Sequence, residues 1–288
     1  MAESKKTTSS VKERHKKATD LIVSKQRSYV VAKGNELIQH SKYDMSLQQL
    51  KVLNYIVSRI KPEDTIDKEY TITIKNYCRL CGIDDESGKN YKMIKEQLSS
   101  IANKSLWVQT EKGKYELFRW FDKVQVNENS GTLTVTFHSL CEGFLFGLES
   151  KYTQYQLQSI LPMQSKYSVR MYEYCSSIRN IGEVIISIDD LKMRLGVVTE
   201  DEKGNITVQQ YGKWSHFKER VLDRAVEEIN KYTDMHVEYD LLKEGRKFSQ
   251  IILHITNPTE EESLNNHLRV MEALDKKNAS QVETESQD

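Results

Sequence analysis

Residues Tyr211 to Ile255 constrain this chain more than any other stretch. A long amphipathic helical pattern there runs directly into two strand-like segments joined by Lys243-Glu244-Gly245-Arg246-Lys247. Phe217, Val221, Leu222, Ala225, Val226 and Ile229 recur at helical spacing and predict one buried face, to which Trp214 also belongs. Lys213, His216 and Arg220 project from the opposite face, while Asp223 and Glu227 come later along that polar side. The cations therefore gather at the helix start, where unpaired N–H groups already favour an anion. His236-Val237-Glu238-Tyr239 and Gln250 to Ile255 alternate or run apolar like strands, and Gly245 supplies the positive φ that a tight turn commonly needs. A helix with a cationic first half, followed by a hairpin with a basic tip, is how a winged helix ends, and it points to DNA.

The rest of the chain repeats that plan. Gln164 to Arg179 reads as a helix with Tyr167, Met171, Tyr174 and Cys175 inward, Val184 to Ile188 as a short strand, and Asp189 to Leu195 as a short helix stopped by Gly196. In the first half, Ser46 to Ile60 reads as a helix, Tyr70 to Ile74 as a strand, and Lys75 to Cys81 as a short helix stopped by Gly82. A second helix from Gly88 to Asn103 follows, with Ile94, Leu98 and Ile101 inward, then strands at Leu106 to Thr110, Tyr115 to Val126 and Thr132 to Phe137. The pattern of residues 72–82 matches that of residues 186–196 although few letters coincide. A strand that leads into a two-turn helix, then a glycine, then a longer helix is the layout of a helix-turn-helix with a leading strand. The predicted fold is α+β, with two tandem winged-helix domains at 26–137 and 164–257, joined by a connecting segment at 138–163 that holds a short apolar helix around Leu140 to Leu148.

Charge qualifies this reading. Lysine and arginine number 42, as do aspartate and glutamate, so the net charge is zero. Residues 1–33, however, hold nine basic residues against three acidic ones, and residues 258–288 hold three against eight. A basic N-terminal arm at 1–25 and an acidic tail at 258–288 thus cancel in the sum. The tail starts with a Thr259/Glu262 capping pattern and an amphipathic helix with Leu264, Leu268 and Met271 in register; its end is expected to be disordered. No run of 18 apolar residues occurs and the lysine-rich start lacks an apolar signal core, so a cytoplasmic protein is expected.

Several chemistries lack their residues. Cys78 and Cys81 form a C-x-x-C, but Cys141 and Cys175 stand alone, so no zinc site is expected and four thiols fit a reducing compartment. Gly82 to Asn90 imitates a phosphate loop, yet five residues instead of four separate its glycines and Asn90 replaces the magnesium-holding hydroxyl. A rolling-circle nickase needs two histidines flanking one residue, and the seven histidines are never two apart. No enzyme, metal or cofactor is predicted. Trp214 and Phe217 have the phase of core residues, not of base-stacking platforms.

Together, Ala32 to Leu37, Leu47 to Leu53, Ser165 to Glu173, and above all Phe217 to Asn230 with Gly245-Arg246-Lys247, make residues 25–257 resemble the replication initiator proteins of iteron-containing, theta-replicating plasmids. The resemblance implies two winged helices. The first would mediate dimerisation and add DNA contacts; the second would make the main contacts with direct repeats at the origin. It also implies dimers that repress the initiator's own promoter, and host initiator and helicase proteins as partners. On that resemblance Lys213, Ser215, His216, Lys218, Arg220 and Arg224 lie in or beside the major groove, and Lys243, Arg246 and Lys247 reach phosphate or minor groove. Ser87, Lys89, Asn90 and Lys92 would orient the first module on the DNA backbone. A winged-helix transcription regulator and a winged-helix protein-interaction module are the alternatives.

Overall fold

The computed structural model describes residues 25–42, 45–81, 88–111, 114–200 and 206–285. The first half opens with strand β1 (Val30–Gly34), helix α1 (Asn35–His40) and the short β2 (Ser41–Lys42). Helix α2 (Leu47–Val57) starts at a capping box: the Ser46 side chain accepts the Gln49 N–H while the Gln49 side chain takes the Ser46 N–H. Strand β3 (Tyr70–Thr73), helix α3 (Ile74–Leu80) and helix α4 (Gly88–Ala102) follow, then β4 (Ser105–Glu111), β5 (Lys114–Arg119), β6 (Phe121–Asn127) and β7 (Thr132–Phe137). Ile94, Leu98 and Ile101 turn inward from α4 as their spacing predicts.

Where one strand was expected from Tyr115 to Val126, the chain breaks at Trp120. Strand β5 pairs with β4 and β6 pairs with β7, so the chain changes sheets at that residue, and the fully buried indole fills the corner. Beyond β7 come a single 3-10 turn, helix α5 (Glu142–Leu145) and β8 (Tyr152–Gln156). From sequence, residues 138–163 are expected only to connect the two domains. Strand β8 in fact pairs antiparallel with β1, from Val30 opposite Gln156 to Gly34 opposite Tyr152, and its inward residues are Thr153 and Tyr155. Polar side chains on an alternating strand conceal it from hydropathy.

The second half carries α6 (Lys166–Ile178), β9 (Glu183–Ser187), α7 (Ile188–Leu195), the short hairpin β10 (Val198–Glu200) and β11 (Ile206–Gln209), then the long helix α8. Helix α7 ends as predicted, on Gly196 in the left-handed region at φ 71°. Helix α8 is continuous but not uniform: Trp214–Phe217 and Arg224–Tyr232 are α-helical, and Lys218–Asp223 between them is π-helical. Strands β12 (His236–Glu244) and β13 (Lys247–Thr256) form the wing, and helix α9 (Glu260–Glu285) closes the chain. The Thr259/Glu262 cap is present, with the Glu262 N–H on the Thr259 hydroxyl and the Thr259 N–H on the Glu262 carboxylate.

Two features of the tail differ from expectation. It remains helical to Glu285, and Leu264 and Leu268 are exposed while Asn266, Val270 and Leu274 are buried. The docked stripe also recurs every four residues, and the Asn266 side chain fixes it by donating to the carbonyl of Thr233 at 3.0 Å.

The duplication is visible in the sheets. In the first half the order is β3-β7-β6, and in the second it is β9-β13-β12. Each time the strand that leads into the short helix, β3 before α3 and β9 before α7, pairs with the last strand of the hairpin. This is the topology of two tandem winged helices, and one continuous apolar core runs through both.

Candidate nucleic-acid interface

Helix α8 enters through a fixed corner. Tyr211 holds a positive φ of 50°, its ring packs edge-on against Tyr167 at 5.8 Å, and the Tyr167 hydroxyl donates to the Gln210 side chain. Lys213 stands at the N-cap in extended conformation, and no side chain caps the helix. The first N–H groups are therefore left for solvent or an anion. Phe217, Val221, Leu222, Ala225 and Ile229 are fully buried beneath, and the four larger side chains contribute about 1.5–3 kcal/mol each. Lys213, Ser215, His216, Arg220 and Arg224 are exposed above them.

The π-helical stretch gives the helix a partner set that the α period does not. Hydrogen bonds spaced five residues apart bring Lys218 over Asp223, and its ammonium lies 2.9 and 2.8 Å from the two carboxylate oxygens. Tyr239 of β12 donates its hydroxyl to the same carboxylate. Hydrogen bonding to Asp223 raises the Lys218 pKa and keeps the ammonium charged. A second tie joins helix to wing through rings. Trp214 lies 5.3 Å from Phe248 and 5.8 Å from Phe217, and the Lys243 ammonium sits 5.0 Å above Phe248. Trp214 is thus a half-buried packing residue, as its phase predicts.

The wing ends in a two-residue turn with Glu244 opposite Lys247, and Gly245 takes φ 61° at its first central position. A bulge between Leu242 and Lys243 shifts the register just before the tip. Lys243, Arg246 and Lys247 are all exposed there. The helix start and the wing tip thus form two cationic patches on one buttressed unit.

Two predicted contact residues have internal partners. Lys218 is held by Asp223, and Arg224 donates its Nε to Glu228 at 3.3 Å. Glu228 also receives the backbone N–H groups of Gln164 and Ser165, so it ties α8 to the start of α6. Arg220 and Arg224 line an open cleft of about 730 Å³ with Ser46, Lys166 and Tyr211, between the starts of α2 and α6. Lys166 and Ser46 were not foreseen at this face. The signal available was their place at helix starts, which says nothing of spatial proximity. In the first half, Lys89 and Asn90 belong to the first turn of α4, Lys92 is exposed, and Ser87 lies outside the described residues.

The cysteines are buried thiols. Burial pushes those of Cys141 and Cys175 up to about 12, far from the reactive thiolate range. Cys81 and Leu195, which the repeated pattern equates, are both buried. Among the described residues no cluster of three or more His, Cys, Asp or Glu is arranged to hold a metal ion, and no helix is long and apolar enough to cross a membrane.

Comparison with known proteins meets this geometry. Residues 30–176 match the family described as "Initiator Replication protein, WH1", and residues 187–255 match "Initiator Rep protein, WH2". A replication initiation protein of Escherichia coli is 24% identical over 236 residues, spanning 78% of this chain and 69% of that protein. The PI protein of Escherichia coli is 32% identical over 137 residues, 44% of this chain and 45% of its own length. Among solved structures, the Pi initiator protein in complex with iteron DNA superimposes with a TM-score of 0.67 over 81% of this chain and 99% of that one; at 22% identity the likeness is one of fold.

Proposed function

The chain belongs to the plasmid replication initiator family built from two winged helices, and from that premise we propose that it binds direct repeats at a plasmid origin through its second winged helix. The observation that carries this reading is the uncapped, cationic start of α8 buttressed against a basic wing tip, with Lys213, His216 and Arg220 free of the internal carboxylates that engage Lys218 and Arg224. Arg220 is assigned to a guanine edge, where a bidentate arginine discriminates by about 1–3 kcal/mol. Lys213, Ser215 and His216 flank it at the groove, Lys243, Arg246 and Lys247 meet phosphate or minor groove, and Arg224 acts from the edge of the cleft. In the first winged helix Ser87, Lys89, Asn90 and Lys92 provide auxiliary backbone contacts.

The domain division proposed is 26–137 and 164–257 around a connecting segment at 138–163, whose strand β8 docks on β1 of the first domain. Bound copies deform the adjoining duplex, the energy coming from binding and not from catalysis. Recruitment of host initiator and helicase in the cytoplasm, and autorepression as a dimer, complete the proposal.

The test is Arg220→Ala against every single-base variant of the bound repeat. The expected result is lost discrimination at one position with the others retained. Equal losses on cognate and random duplexes would remove Arg220 from the reading role.

A further inference from the structure

A carboxylate sealed from solvent joins elements of both halves. Glu173 of α6 takes three donors on one oxygen: the Lys33 ammonium of β1 at 2.6 Å, the Tyr155 hydroxyl of β8 at 2.6 Å, and the Asn54 side-chain amide of α2 at 3.3 Å. The Lys33 and Glu173 side chains are each 1% exposed. Close by in the fold, the buried Lys51 of α2 donates to the carbonyls of Leu161 and Met163, in the segment that leads into α6. Arg170, one turn before Glu173, bridges the carbonyl of Arg194 at 2.7 Å and that of Ser41 at 3.4 Å. Burial works against the charged form of Glu173, but the Lys33 ammonium and the Arg170 guanidinium outweigh it and hold the carboxyl below its usual range.

Stability alone does not account for such a cluster. Desolvating an ion pair offsets most of its attraction, and apolar residues of similar volume often serve as well or better. What an apolar seam lacks is direction: aliphatic side chains tolerate small slides and rotations, whereas an ammonium, a hydroxyl and an amide converging on one oxygen are satisfied in one arrangement. Helix α6 precedes β9 as α2 precedes β3, and by that place it serves as the first helix of the second winged helix, although the WH1 match runs on to residue 176; β1 and α2 belong to the first, and β8 joins them by pairing with β1.

The geometry points to a positioning role: the Lys33–Glu173 cluster holds the two winged helices at one mutual angle and separation, so that the chain accepts one spacing between the DNA segments its two halves touch. This rests on the DNA-reading role proposed above. It also places residues from two of the family-like sequence segments, Ala32 to Leu37 and Ser165 to Glu173, at the seam and away from the groove.

The test uses the full chain and duplexes enriched by it from a randomised library of about three helical turns. One base pair is then inserted at each step of the enriched site, which rotates the flanking segments by about 34–36° and separates them by about 3.4 Å. Wild type is expected to lose about tenfold or more in affinity when the insertion falls between the two contact segments. The double variant Lys33→Met with Glu173→Leu is expected to lose less than about threefold at the same insertion, while binding a shortened duplex that touches only the second winged helix as wild type does. Should that variant melt early, Tyr155→Phe decides, because it keeps the ion pair and removes one donor; its insertion penalty falls between the two. A wild-type penalty retained in the folded variants overturns the proposal, as does a wild type indifferent to insertion. A library from which nothing is enriched overturns the DNA-reading role itself, and the positioning role with it.

Discussion

Lys218 and Arg220 stand two residues apart on α8 in opposite surroundings. The first is committed to Asp223 and through it to Tyr239 of the wing strand; the second projects into an open cleft. Charge alone does not separate them. An ammonium already compensated by a carboxylate releases few counterions when it meets phosphate, whereas free cations at the wing tip release about one each. Arg246→Ala and Lys247→Ala should therefore each weaken binding to all duplexes alike and flatten the salt dependence by about one unit. Lys218→Ala should leave that slope unchanged and lower unfolding free energy by less than about 1 kcal/mol in urea titrations. A slope that falls for Lys218→Ala would return it to the phosphate-contacting set. The exposure of Lys213, His216 and Arg220 was legible in the sequence because a helical period determines facing. The engagement of Lys218 was not, because a partner five residues on belongs to a π turn that no α period announces.

Elements were legible where apolar side chains mark them and hidden where polar ones do. The helices of both winged helices and the wing itself follow from spacing, caps and Gly245. Strand β8 did not, since Tyr152-Thr153-Gln154-Tyr155-Gln156 buries a hydroxyl and a phenol in place of aliphatics. Helix α9 was foreseen with the wrong stripe inward. Its sequence offers two, and the choice is made by surroundings the sequence does not reveal: the free carbonyl of Thr233 that Asn266 meets, and Arg27, which pairs with Asp275 at 3.3 Å. Ending the chain after Pro258 removes the burial of Val270 and Leu274 and should lower unfolding free energy by about 3 kcal/mol or more, read from thermal melts. Replacing the exposed Leu264 and Leu268 by serine should leave the melt unchanged. The reverse order of effects would mean that the predicted stripe is the docked one.

Across the whole molecule, a neutral chain builds cationic patches at the start of α8 and at the wing tip by distributing its charge. Acidic residues gather in the tail, and Asp223 and Glu228 brace α8 from within. The tandem plan was readable from two segments with little identity because a leading strand, a short helix and a stop impose the same pattern on different letters. Equal sheet orders in the two halves, β3-β7-β6 and β9-β13-β12, bear it out. How the halves meet was not readable, because Lys33, Asn54, Tyr155 and Glu173 come together from four separated segments. Reading of origin repeats by this molecule is put to the test by an electrophoretic shift on one duplex carrying several direct repeats. The expected result is a ladder with one band for each repeat, fading together as salt is raised. One band on a palindrome, or no salt-sensitive binding to any duplex, would contradict it.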